Sequence, residues 1–348
     1  MSTYTFIACR ANATIEVHKL DPEAGTLRKL SVVEGVEGVN TLAFDHGRAI
    51  LYAGRNADTP SVSAFTVVAG GRLEHRGDVE LPHSLAYLAF DGDALLVASY
   101  HDSAISRVPL DPAGLPTAER PTFTDRDAGR QMHCVVPSRD GRHVYAAALG
   151  TDAIVTYRRG GEGEPELVRL APTPVEPAGS GPRHLQLSPD GTRLTVVTEM
   201  TGEVVVFSRD ASSGALTRVG SASTIAPDDA LVTGVARVPG GAEVPPRPIW
   251  SAEMRQARGG SLWLTTERTT SKLTVLAAGD TPRVLDSVET EERPRAAAVA
   301  PWGELVLVGG EVSDHVSVYR VGQDGSLEAT QRIETGGTPA WFAFQRVD

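Results

Sequence analysis

The sequence predicts an all-β chain: a seven-bladed β-propeller of four-stranded antiparallel blades, closed by the N- and C-terminal strands sharing one blade. Three observations carry this. One unit of short apolar strands and glycine turns recurs along the chain. Its turn glycines stand about 43–50 residues apart, with one wider gap. The chain begins and ends in mid-unit. Four short strands per repeat at that period are the signature of a propeller.

Each unit opens with a short apolar strand that reaches a turn ending in Gly. The turns are Asp45-His46-Gly47, Asp91-Gly92, Asp140-Gly141, Asp190-Gly191, Gly259-Gly260 and Trp302-Gly303. A second apolar strand follows, then a third with period-two alternation. Ser61-Val62-Ser63-Ala64-Phe65, Glu203-Val204-Val205-Val206-Phe207 and His315-Val316-Ser317-Val318-Tyr319 are examples. Turn residues between alternating runs mark hairpins rather than helices. A Gly-x-Leu step opens several fourth strands, at Gly25, Gly71, Gly214 and Gly325. Residues 3–27 form part of a unit and residues 339–344 a lone first strand. Joined, they complete a seventh blade and remove sheet edges that would otherwise be open to aggregation. The expectation is one domain over residues 1–348, although the length alone suggests two or three. Pro239-Gly240-Gly241 and Pro245-Pro246 fall in the widest gap, which reads as an insertion near 226–248.

Composition bounds the function. Hydrophobic residues are 41% and charged residues 22%, enough to bury a core. No apolar stretch approaches the roughly 20 residues of a membrane span, and the N-terminus carries no signal-type segment. Two cysteines, Cys9 and Cys134, make no disulfide framework. These features predict a cytoplasmic protein with no membrane partner. A net charge of −11 argues against nucleic acid. It leaves room for an anionic small molecule, because a local arginine cluster dominates its own cleft.

Such a cluster emerges from strand register. Positions equally far before and after a hairpin turn lie at one height. Eight residues before the turn Gly stand Ser84, His133, Arg183, Ala252 and Arg295; eight after stand Arg55, Tyr100, Leu149, Glu199, Arg268 and Glu311. Arg10 joins them by its offset of five from Ile15, which Arg268 and Glu199 share relative to Leu273 and Val204. All should lie at one end of the central channel. Arg10, Arg55, Arg183, Arg268 and Arg295 face only Glu199 and Glu311, a formal excess of three positive charges. Arg183/Glu199 and Arg295/Glu311 are cross-strand partners in this register. Buried arginines are costly unless paired or awaiting an anion. The alternative is a set of structural ion pairs sealing the channel.

The segments Gly179-Ser180-Gly181-Pro182-Arg183-His184-Leu185 and Ser188-Pro189-Asp190-Gly191, Val197-Thr198-Glu199 before Val204-Val205-Val206-Phe207, and Arg268 ahead of Lys272-Leu273-Thr274-Val275 resemble a known family. It is the seven-bladed lactonase family, which includes propeller-type 6-phosphogluconolactonases and carboxy-muconate lactonizing enzymes. The resemblance runs along the whole chain. It implies an active-site histidine at His133, arginines at Arg183 and Arg268 and a glutamate at Glu199. One departure is Arg255, where a histidine often stands two residues after Glu253.

Chemically, His133 is the natural general base, since imidazole titrates near neutrality. Glu199 orients it or shares that role. Arg183 and Arg268 supply oxyanion and carboxylate contacts, with Arg10, Arg55, Tyr100, Arg295 and Glu311 as substrate-binding candidates. No cofactor and no metal are expected, because no His, Asp or Cys cluster has ligand spacing. The reading is metal-independent hydrolysis of an anionic sugar lactone, foremost 6-phosphogluconolactone. A muconate-type cycloisomerase needs the same groups and remains an alternative. A non-catalytic interaction scaffold is the third reading, although the Trp-Asp dipeptides of such repeats are absent.

Overall fold

The computed structural model describes residues 2–117, 121–238 and 240–347. They form seven antiparallel sheets. Blade one pairs, from the axis outward, Pro339–Val347, Ser2–Cys9, Thr14–Asp21 and Thr26–Val33. The last strand of the chain is therefore the innermost strand of the first blade, as the half-units at the termini require. Its ladder with Ser2–Cys9 runs from Ser2↔Val347 to Cys9↔Pro339. Blade two is built from Val39–Asp45, Ile50–Asn56, Pro60–Val67 and Leu73–Glu80. Blade three uses Tyr87–Phe90, Ala94–Ser99, Ala104–Pro109 and Phe123–Asp125. Blade four uses Met132–Pro137, His143–Ala148, Ala153–Arg159 and Leu167–Arg169, with Thr173–Pro174 as a fifth short strand on Ala153–Arg159. Blades five to seven open with Pro182–Leu187, Ser251–Ala257 and Pro294–Val299 and run outward through three further strands each. The seven innermost strands touch one another in sequence around a closed ring.

Burial follows distance from the axis. The second strands are sandwiched between neighbouring blades, so His143–Ala148, Leu262–Glu267 and Leu305–Gly310 are buried at every position. A strand covered on both faces reads as an apolar run rather than an alternation. The outermost strands have one wet face, and Leu73–Glu80 alternates buried or half-buried with exposed residues toward its end. Apolar clusters fill the spaces between blades; the largest runs from Phe6 through Tyr145 to Phe207 and Trp341.

Residues 224–238 and 240–250 run as a strap between Leu216–Ser223 of blade five and Ser251–Ala257 of blade six. It contains a short turn of 3-10 helix, Pro227–Asp229, and its ends are tied by a parallel bridge, Val232↔Pro248. Among the described residues no helix is long and apolar enough to cross a membrane.

Candidate active site

A repeated backbone irregularity aims side chains at the channel mouth. In six of the seven innermost strands the ladder slips at the same end, leaving extra residues opposite a shorter stretch of partner. The extra residues are Ala340, Asn40, His133, Arg183, Ala252 with Glu253, and Arg295. A bulge interrupts the alternation of side chains and re-aims the inserted residue. His133, Arg183 and Arg295 thus reach the mouth because each is an insertion in its strand. The second strands contribute the residue just past their last paired position: Arg10, Glu199, Arg268 and Glu311.

These groups enclose a cavity of about 270 Å3 lined by Arg10, Tyr100, His133, Arg183, Glu199, Arg268, Arg295 and Glu311. The four proposed catalytic groups are almost wholly buried, from 1% exposure at Arg183 to 7% at Glu199. The charges alternate around the mouth. Arg183 Nε lies 3.0 Å from Glu199 Oε2, and Arg268 Nη2 donates to Glu199 Oε1 at 2.8 Å. Arg268 Nη1 reaches Glu311 Oε1 at 3.5 Å, and Arg295 Nε lies 3.5 Å from the same oxygen. Both cross-strand pairs expected from register are therefore in contact.

Behind this row sits a second, buried layer. Arg183 Nη1 donates to the Ala252 carbonyl and, at 3.2 Å, to His184 Nε2. Nδ1 of His184 is bonded to Glu253 Oε1, and Glu253 Oε2 takes Arg255 Nη2 at 3.0 Å. An imidazole that accepts at Nε2 and donates at Nδ1 is neutral, and this arrangement locks Arg183 from behind. Arg255, the departure noted in the sequence, stands here as the counter-ion of Glu253 and donates from Nε to the Ala297 carbonyl at 2.9 Å.

Burial, reinforced by Arg183, His184, Arg295 and Arg268, holds the His133 imidazole well below its usual pKa, so it is neutral at pH 7. Its Nδ1 is buried with no hydrogen-bond partner among the described residues. Burial lowers the Arg183 guanidinium to about 10, against the pull of Glu199, and it remains charged. Burial alone would raise Glu311, but Arg268 and Arg295 outweigh it and hold the carboxyl below its ordinary value. Tyr100 is pushed up to about 12 by burial and by Glu199; its ring packs edge-on to His133 at 5.8 Å between centroids.

One expected site residue is elsewhere. Arg55 turns away from the cavity to Glu37 Oε2 at 3.1 Å and Asp78 Oδ1 at 3.7 Å, and it lines an outer groove. The cause is turn geometry. In blade two the pair Asp45↔Ile50 centres the hairpin just after Gly47, whereas Val135↔Ala146 in blade four centres it just before Gly141. Counting from Gly47 is therefore off by one, and one residue changes the face. The true counterparts are Asn40 and Asn56, both at the cavity. Gly92 has the same early position, so Leu85 rather than Ser84 lines the mouth. Leu149 lines a neighbouring groove instead.

Counting along the repeat also missed Arg237 and His101, which line the cavity. Arg237 comes from the strap, which has no counterpart in the other units, so no repeat offset points to it. Among the described residues no three His, Cys, Asp or Glu side chains converge as a metal site.

Comparison with known proteins agrees with this fold. The family described as "Lactonase, 7-bladed beta-propeller" matches residues 1–344. A 6-phosphogluconolactonase of Pectobacterium atrosepticum is 28% identical, with all of both chains covered. One from Serratia proteamaculans is 27% identical over 99% of each chain. Among solved structures, the periplasmic gluconolactonase of Pseudomonas aeruginosa superposes with a TM-score of 0.84 at 22% identity, covering 100% of both chains. A Lactobacillus plantarum protein gives 0.85 at 22% identity, covering 99% of this chain and 100% of the other. These structural likenesses speak to the fold.

Proposed function

The chain belongs to the seven-bladed β-propeller lactonase family, and on that footing we propose that it hydrolyses an anionic sugar lactone, 6-phosphogluconolactone foremost, without a metal. One observation carries the reading: a neutral histidine and an arginine-rich, alternating row of charges converge on a single small cavity. Full-length relatives named 6-phosphogluconolactonase support the substrate. They also favour hydrolysis over muconate-type lactonization and over a non-catalytic scaffold.

His133 takes a proton from water as the water oxygen attacks the lactone carbonyl. The negative charge that develops on the carbonyl oxygen is met by Arg183 and Arg268, fixed beforehand by Glu199 between them. The ring C–O bond then breaks, and the imidazolium of His133 returns its proton to the departing alkoxide. Lactone and water become the hydroxy acid, with no group consumed. Glu199 has both oxygens engaged by arginines, which suits a positioning residue better than a base. A phosphorylated sugar crosses a lipid bilayer poorly, which favours a cytoplasmic site of reaction.

The test is acid release from 6-phosphogluconolactone. The His133→Ala variant should lose about two to four decades in kcat, the usual scale for a general base, and EDTA should leave the wild type active. Full activity in the variant removes His133 as the base. Activity lost to EDTA and restored by a divalent cation overturns the metal-independent reading.

A further inference from the structure

The strap carries a cation into the site that the blade repeat does not supply. Of the guanidinium groups at the cavity, Arg183, Arg268 and Arg295 each face a glutamate at 2.8–3.5 Å. Arg10 and Arg237 make no ion pair among the described residues, Arg237 feeling Glu311 and Glu199 only at longer range, and both are exposed at the rim. The excess positive charge of the cavity is therefore concentrated at its outer edge.

Arg237 is nonetheless held in place. Its guanidinium carbon stands 3.2 Å from the centroid of the Trp250 ring. Trp250 is itself buried, and its Nε1 donates to the Val235 carbonyl at 3.4 Å, tying the strap to the ring on which Arg237 stacks. On the far side, the Tyr100 hydroxyl donates to the Arg237 carbonyl at 3.3 Å. Stacking occupies the face of a guanidinium and leaves its in-plane N–H donors free. The group is thus positioned without using the donors that recognise an anion, which lowers the ordering cost of binding. Arg268 shares the same indole at 5.8 Å and Arg293 at 6.0 Å, so Arg237 adds its positive charge where two other guanidiniums already stand.

We propose that Arg237, with Arg10, forms a rim subsite for the phosphoryl group of a phosphorylated sugar lactone, so that the strap sets the preference for phosphorylated over neutral lactones. Two free guanidiniums match a dianion, and the lactone carbonyl then lies deeper, at His133 and Arg183. This rests on the hydrolytic reading above. The experiment compares kcat/KM for 6-phosphogluconolactone and for glucono-δ-lactone in the wild type, Arg237→Ala and Arg237→Lys. The ratio between the two substrates should fall about ten-fold or more in Arg237→Ala, the scale of one charge-assisted hydrogen bond, with part of it recovered by lysine. An unchanged ratio overturns the proposal. Binding of 6-phosphogluconate against gluconate, measured by calorimetry, gives a readout that does not depend on turnover. Arg237→Ala should lose about ten-fold or more in affinity for the phosphorylated acid alone; retained affinity overturns the subsite. A wild type that opens neither lactone would sink the hydrolytic reading, while the calorimetry still decides the subsite.

Discussion

At the scale of single residues, the site is a problem in placing charge where water is scarce. Five arginines around one small cavity would repel one another and pay a desolvation cost, which the two glutamates lining it, Glu199 and Glu311, relieve in part. The imidazole among them yields instead: it stays neutral, and so remains able to take a proton. The sign of the pH dependence follows. A base acts only when deprotonated, and burial, helped by the groups facing His133 (Arg183, His184, Arg295 and Arg268, with Tyr100 edge-on), leaves it deprotonated well below pH 6.5. Measured on glucono-δ-lactone, which has no titrating group of its own, kcat/KM should stay level as pH falls through 6.5 and decline only at lower pH. A limb centred at or above 6.5 would show that burial and the arginines do not lower the catalytic base in this way.

At the scale of elements, the innermost hairpins do the positioning, and glycine permits their close approach. Gly181 precedes Pro182–Leu187 with φ +65°, in the left-handed region, and a Cβ there would meet Met200 Cε at 2.1 Å. Its carbonyl accepts the Glu199 amide at 2.7 Å, and its own amide donates to Asp152 Oδ1 at 2.8 Å. One residue thus fixes the strand that carries Arg183 and the backbone of Glu199. Gly181→Ala should cost about 1–2 kcal/mol from the left-handed conformation alone. By shifting Arg183 against Glu199 it should also lower kcat/KM at least about ten-fold, since small displacements at a site are expensive. Denaturant titration and steady-state kinetics together check this; a variant with normal kinetics would show that the Arg183–Glu199 geometry is not set by this turn.

At the scale of the whole molecule, closure of the ring reaches the site. Trp341, in the closing strand, is 7% exposed and packs edge-on to Tyr87 at 5.1 Å between ring centroids. It also lies 6.0 Å from His184, and the Arg255 guanidinium carbon stands 5.6 Å from its ring. The terminal strand therefore covers the buried layer that holds Arg183. Trp341→Ala should lower stability by about 3–5 kcal/mol, the cost of a large core truncation. If the ring is one cooperative unit, unfolding should remain a single transition, seen alike by fluorescence and circular dichroism. Separate transitions for the closing blade and the remainder would argue against one domain.

The sequence by itself determined the architecture and which charged residues of the blades meet at one cavity, Arg55 apart. Seven blades, their closure and the common height of His133, Arg183, Glu199 and Arg268 all follow from one repeat, because hairpin register converts spacing along the chain into position in space. The same arithmetic misplaced Arg55, since Gly47 sits one residue earlier in its turn than Gly141 does, and only the paired strands reveal where the hairpin is centred. The bulges were equally invisible as such: nothing in Met132-His133-Cys134 says that His133 is an extra residue in its strand. Arg237 lay beyond counting altogether. It belongs to a strap that no other unit repeats, and its place over Trp250 comes from contacts with blades three and six rather than from local pattern. Periodic elements transmit their geometry through sequence spacing, whereas an irregular segment acquires its position from whatever it packs against. That is why the barrel of blades was legible and the residue proposed to select the substrate was not.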